Sequence, residues 1–156
     1  QGAYETARRH CDGRRMTETP PLRVLVVDDE TPARNRLRDL LGDCALKMPL
    51  EIVGEADNGR HALELLPTCN ADVVLLDIRM PKVDGIEVLR VLKSLPHLAR
   101  IPVIMLTTTD DPREVEKCYE HGCSVYILKP IDYEAFIEAI RRMGLFLQLV
   151  KLPSPA

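Results

Sequence analysis

Short apolar runs recurring along the chain, with amphipathic stretches between them, constrain the fold most. Val24-Leu25-Val26-Val27, Val73-Val74-Leu75-Leu76 and Val103-Ile104-Met105-Leu106 are rich in β-branched residues. Such runs read as strands buried on both faces, the environment of a parallel sheet. Between them, apolar residues recur at helical spacing. The alternation predicts a doubly wound α/β fold, with a five-stranded parallel sheet and helices on both faces.

The first strand is expected over 22–27, followed by a helix with Thr31 as N-cap and Pro32 at its first position. Ala33, Leu37, Leu40 and Leu41 form its inward face, and a loop from Gly42 to Pro49 leads to a strand over 50–56. A short helix from Gly59 to Leu66 buries Ala62, Leu65 and Leu66. A strand at 72–76 precedes a turn containing Pro81 and Gly85, then a helix turning Ile86, Leu89 and Leu92 inward. Pro96 and Pro102 bracket the linker to the strand at 103–106. The next helix opens with Asp111-Pro112-Arg113-Glu114, an acidic cap with proline in the first turn and a glutamate three residues on. Gly122 supplies a left-handed helix end. A strand from Ser124 to Leu128 follows. The last helix begins after Asp132 and buries Phe136, Ala139 or Ile140, and Met143. The flavodoxin-like order 2-1-3-4-5 is one of two common arrangements, and it makes the first and third strands neighbours.

Asp28 and Asp29 directly follow the first strand, and Asp77 follows the third. Side chains just past the carboxyl ends of such strands converge in one crevice. Three carboxylates there repel one another and stay ionised together only around a cation, for which a hard, oxygen-seeking ion such as Mg2+ is suited. Thr107 and Lys129 end the fourth and fifth strands, so a hydroxyl and an ammonium reach the same edge. That set suits a phosphoryl group, with a carboxylate as nucleophile.

Composition closes off other classes. A net charge of −3, with no basic block beyond the N-terminal tail, argues against direct nucleic-acid binding. No Trp and only 2 Phe argue against stacking on single strands. No apolar stretch approaches a membrane span. The 5 cysteines (Cys11, Cys44, Cys69, Cys118, Cys123) show no CxxC spacing, so a zinc site or disulfide framework is not expected and a reducing cytoplasm is. His10, His61, His97 and His121 lack metal-ligand spacing and read as solvated.

With Val26-Val27-Asp28-Asp29-Glu30, Leu75 through Gly85, Leu106-Thr107-Thr108 and Tyr126-Ile127-Leu128-Lys129-Pro130 in this order and spacing, the chain resembles a receiver domain of bacterial two-component response regulators, including the chemotaxis type. The resemblance covers about residues 22–145. It implies Asp77 as phosphoacceptor, Asp29 as direct Mg2+ ligand, and Asp28 reaching the metal mainly through water, with Mn2+ as an alternative ion. Arg79 falls where the family offers a backbone carbonyl to the metal. Lys129 corresponds to the lysine that pairs with the phosphoryl group, with a cis peptide expected at Pro130. Thr107 corresponds to the switch hydroxyl and Tyr126 to the switch aromatic. Arg79, Thr108 and Thr109 occupy positions expected to tune phosphoryl lifetime.

The resemblance further implies a phosphohistidine donor, on a sensor histidine kinase or a histidine phosphotransfer protein of a phosphorelay. The output would be a downstream protein target met by a surface around the fourth helix, fifth strand and fifth helix. On this reading the chain is a signalling switch with self-phosphorylation and autodephosphorylation activity, rather than an enzyme acting on other substrates. A haloacid-dehalogenase-type hydrolase is the enzymatic rival. It places its nucleophile in Asp-x-Asp after the first strand, whereas here that strand ends in adjacent aspartates. A phosphate-independent binding module is the third reading.

Residues 1–21 read as a disordered tail or upstream extension, with Met16 a candidate start. Arg8-Arg9 and Arg14-Arg15 carry a weak targeting or anion-binding signal without the apolar core of a secretory leader. Val24–Leu41 resembles receivers joined to DNA-binding output domains. Tyr126–Pro153 resembles stand-alone receivers, some associated with light-sensing kinases. Residues 146–156 form a short extension, so a single-domain regulator or a fragment lacking its output domain is expected. Gly144–Val150 is apolar enough to pack on the chain itself or to form a homodimer contact.

Overall fold

Burial of the β-branched runs builds the centre of the molecule. A computed structural model describes residues 20–149, with side chains described through Leu145. The expectations for residues 1–19, for the apolar side chains after Leu145 and for residues 150–156 lie outside the described residues. The strands are β1 Leu22–Val27, β2 Leu50–Ala56, β3 Val73–Asp77, β4 Val103–Thr107 and β5 Val125–Leu128. All neighbours pair in parallel, in the order β2-β1-β3-β4-β5. This is the doubly wound order expected from the sequence. β3 and β4 are buried throughout, and the outer strands β2 and β5 are mostly half-buried.

The helices are α1 Thr31–Ala45, α2 Gly59–Cys69, α3 Gly85–Ser94, α4 Pro112–Glu120 and α5 Tyr133–Leu149. Strand periodicity sends Val24, Val26, Leu75 and Ile104 to one face, where Leu37, Leu40 and Leu41 of α1 and Phe136 and Ile140 of α5 cover them. Leu25, Val27, Leu76 and Met105 go to the other face, under Ala62 and Leu66 of α2, Val88, Leu89 and Leu92 of α3 and Cys118 of α4. Each fully buried aliphatic side chain contributes about 1.5–3 kcal/mol. These two layers hold the carboxyl ends of β1, β3 and β4 in register.

Burial overrides local punctuation at several boundaries. α1 runs past Gly42 to Ala45 because Cys44 continues the buried face of Leu37, Leu40 and Leu41. A glycine costs a helix only about 1 kcal/mol. The α1 N-cap is Glu30, not Thr31, and Pro32 is second in the helix. The reason is local: Glu30 N–H donates to Asp28 Oδ1 at 3.0 Å, which fixes the residue before the helix, and the Glu30 carbonyl accepts from Arg34 N–H. α2 continues through Pro67 to Cys69 and stops at Asn70, whose φ of 53° is left-handed. Ala33, Leu65, Ile86 and Met143 are half-buried rather than buried. Gly122 does supply the left-handed turn just past α4, with φ +95°. There Cys123 N–H donates to Cys118 O at 3.0 Å and Gly122 N–H to Tyr119 O at 3.1 Å, a paired helix-closing motif.

The turn after β3 is built by close packing. Gly85 N–H donates to Ile78 O at 2.7 Å. A Cβ at Gly85 would lie 2.0 Å from the Asp77 carbonyl oxygen, and the backbone of Asp77 and Ile78 leaves it no room. Gly42, by contrast, faces open space on an exposed turn of α1. Gly85→Ala is therefore expected to lower stability by about 2–4 kcal/mol, while Gly42→Ala raises it by roughly 0.5–1 kcal/mol. Urea unfolding of the two variants checks this pair.

Candidate functional site

The parallel order sets the ends of β1 and β3 side by side, with Val27 opposite Leu76. Asp28, Asp29 and Asp77 follow from that register. One carboxylate oxygen of each lies within 4.8 Å of the others. Asp28 is 1% exposed and Asp77 6%, while Asp29 is half-buried. Lys129, just past β5, reaches across the sheet edge from 101 residues away in sequence. Its Nζ lies 2.6 Å from Asp28 Oδ2 and 3.6 Å from Asp77 Oδ1. The Lys129–Pro130 peptide is cis.

Electrostatics here are unbalanced. Three carboxylates and one ammonium leave two negative charges in a largely buried cluster. Burial pushes the Asp77 carboxyl up to about 6, Lys129 opposes the rise, and Asp28 and Asp29 add to it. Burial alone would lower the Lys129 ammonium. Its hydrogen bond to Asp28 and the charge of Asp77 outweigh that, and the net shift is upward. A divalent cation with a preference for oxygen matches both the donor set and the residual charge.

The other expected residues surround this cluster. Thr107 ends β4 fully buried, and its Oγ1 accepts from Thr109 N–H at 3.2 Å. Its carbonyl accepts from Lys129 N–H at 2.7 Å. Tyr126 is half-buried, packs on the α2–α3–α4 side of the core, and donates its hydroxyl to the Thr109 carbonyl. Burial raises its phenol, Cys118 adds to the rise and the Thr107 hydroxyl opposes it. Thr108 is exposed and Thr109 half-buried. Arg79 points to the rim, where its Nη2 lies 3.6 Å from Glu114 Oε2. A cleft of about 380 Å³ opens beside the cluster, lined by Asp29, Ile78, Arg79, Met80, Pro81, Asp84 and Glu114.

Three further residues support the site although the sequence did not assign them to it. Arg34 Nη1 donates to the Asp28 carbonyl at 2.8 Å, and helical spacing from Thr31 would have put it on that side. Asp84 caps α3 by accepting from Glu87 N–H at 2.9 Å, a signal its place before Gly85 carries. Glu114 reads in sequence as a capping partner of Asp111, yet its carboxylate turns to Arg79 instead. Among the described residues the cysteines add no second centre. Cys44, Cys118 and Cys123 are buried, and burial pushes Cys118 up to about 11 and Cys123 to about 12.

The response regulator receiver domain model matches residues 24–141. The chain belongs to the response regulator receiver family. Among similar proteins is the transcriptional regulatory protein DegU of Brevibacillus brevis, 33% identical over 120 residues, which are 77% of this chain and 49% of that protein. The receiver spans about half the length of the curated relatives it matches. The signal receiver domain of a histidine kinase from Syntrophus aciditrophicus superposes with a TM-score of 0.72 at 29% identity, covering 86% of this chain and 96% of that one. A LuxR-family DNA-binding response regulator from Staphylococcus aureus gives 0.71 at 31% identity, with coverages of 79% and 98%. Receiver domains are signalling switches of bacterial two-component systems and take phosphate from sensor histidine kinases. Among the described residues no helix is long and apolar enough to cross a membrane.

The raised Asp77 carboxyl has a stability consequence. A folded-state value of about 6 against an ordinary 3.8 means that the fold disfavours the ionised form. The stability linked to this group is fully present below about pH 4 and is lost as pH rises through 6. In metal-free buffer, Asp77→Asn is expected to be more stable than wild type by on the order of 3 kcal/mol at pH 7.5, and by under about 1 kcal/mol at pH 4. Urea titrations with chelator at the two pH values measure the gap. A gap independent of pH would refute its origin in ionisation.

Proposed function

We propose that this receiver accepts a phosphoryl group on Asp77, from a phosphohistidine of a sensor kinase or a phosphotransfer protein, in a reaction that needs a divalent cation. The observation that carries the reading is the meeting of Asp28, Asp29, Asp77 and Lys129 at one sheet edge. Asp28, Asp29, Asp77 and the carbonyl of Arg79 would hold Mg2+, or Mn2+ in its place. The cation would offset charge on the phosphoryl oxygens, which otherwise repel the attacking carboxylate.

The chain's own groups do the rest. An Asp77 carboxylate oxygen attacks phosphorus while the phosphorus–nitrogen bond to the donor histidine breaks, and the imidazole leaves with that electron pair. Lys129 already bridges Asp28 and Asp77, so it can pass from carboxylate to phosphoryl oxygen with little movement. Hydrolysis of the product returns Asp77 and inorganic phosphate. Arg79, Thr108 and Thr109 stand at the cleft or beside Thr107, where water approaches, and set the lifetime.

The readout runs through β4 and β5. The added phosphoryl group brings about −1.5 to −2 charges. Thr107 gives up Thr109 N–H to donate its hydroxyl to a phosphoryl oxygen, and the loop bearing Thr109 shifts. Tyr126, bonded to the Thr109 carbonyl, moves with it and changes the surface of α4, β5 and α5 that a downstream protein meets. This is a shift between two packings of one fold.

Incubation with acetyl phosphate and Mg2+, followed by a phosphate-affinity gel, checks the assignment. Wild type is expected to show a retarded band that chelator abolishes and Asp77→Asn lacks. Lys129→Ala is expected to slow uptake at least tenfold. A band retained in Asp77→Asn would move the acceptor elsewhere. Thr108→Ala is expected to change the decay rate of the band, and an unchanged rate would remove Thr108 from the tuning set.

A further inference from the structure

We infer that Arg79 and Glu114 form a charge strap that ties the start of α4 to the acceptor turn, and that a phosphoryl group on Asp77 releases the strap by competing for Arg79. This rests on the reading of Asp77 as phosphoacceptor and extends it to how α4 learns of the event.

Arg79 lies two residues past Asp77, on the turn that Gly85 packs against. Glu114 lies in the first turn of α4. Their closest atoms, Nη2 and Oε2, are 3.6 Å apart, beyond hydrogen-bond reach but within range of charge attraction. The Glu114 side chain is 26% exposed, and Oε2 is buried with no hydrogen-bond partner among the described residues. Burying a carboxylate oxygen without a donor is unfavourable. Arg79 is therefore what compensates it.

The rest of α4 is lightly held. Cys118 is its buried anchor, while Val115 is half-buried and Pro112, Arg113, Glu116, Lys117, Tyr119 and Glu120 are exposed. Its N-cap is a local bond, from Arg113 N–H to Asp111 Oδ1 at 3.0 Å. At this end, then, the Arg79 pair is a tie to another element.

Arg79 is also the cation among the cleft's lining residues, facing Asp29, Asp84 and Glu114. Its side chain is 63% exposed and free to turn. A phosphoryl dianion on Asp77 outcompetes a single carboxylate for a guanidinium, because charge and fork geometry both favour it. Glu114 then loses its counter-charge and faces a second anion across the cleft. Both changes push the first turn of α4 away from the acceptor turn.

Hydrogen exchange of the full chain over residues 112–120, with and without acetyl phosphate and Mg2+, tests this. In wild type, exchange is expected to rise several-fold on phosphorylation. Glu114→Gln is expected to show the raised exchange without donor and little further change with it, while taking up phosphate. The charge reversal Arg79→Glu with Glu114→Arg is expected to restore slow exchange without donor, which a merely space-filling role for either residue would not do. Wild-type exchange in Glu114→Gln, or fast exchange in the double variant, would overturn the strap while leaving phosphate uptake intact. Absence of any uptake by wild type would instead overturn the functional reading and the release step with it.

Discussion

Mutual repulsion among Asp28, Asp29 and Asp77 is the constraint around which this structure is arranged. Their oxygens sit within 4.8 Å of one another at the mouth of a sheet whose interior is apolar. Left alone, such a cluster protonates or spreads apart. Two devices hold it. Lys129 supplies one positive charge from the far side of the sheet edge, and the packed turn at Gly85 stops the Asp77 backbone from retreating. Two negative charges remain in excess, and that imbalance is what suits the cluster to a divalent ion and underlies the phosphoryl chemistry proposed for it.

A rigid core and a loosely held periphery divide the work. Both faces of β1, β3 and β4 are covered, so the carboxylates and Thr107 have fixed positions. α4 and β5 are more exposed, and their ties to the site are few and polar: Tyr126 to the Thr109 carbonyl, Lys129 to Asp28, Arg79 to Glu114. Elements held by polar ties respond when a charge is added at the site, whereas close-packed ones do not. On the proposed reading, a single covalent event on Asp77 therefore alters an outer surface without disturbing the sheet.

The strands were legible because β-branched runs bounded by polar residues have few other uses, and the sheet order placed the three aspartates together. The limits of α1 and α2 were not. Gly42 and Pro67 look like stops locally, and the burial of Cys44 past one and the packing of half-buried Cys69 against the core past the other outweigh them. The site's local members, Asp28-Asp29, Asp77 and Thr107, are visible as residues at strand ends. Lys129 becomes a partner of Asp28 only through the order of strands, since 101 residues separate them. Glu114 was hidden by a sound local rule. Its place three residues after Asp111 fits a capping pair, and only the folded chain brings Arg79 within range.

The central claim, that the three carboxylates act together on one ion, is tested most directly by Mn2+ titration of the protein with detection of bound ion by electron paramagnetic resonance. One Mn2+ per chain is expected, displaced by excess Mg2+, with binding weakened at least tenfold in Asp29→Asn and in Asp77→Asn alike. Binding that is absent in wild type, or indifferent to both substitutions, would contradict it.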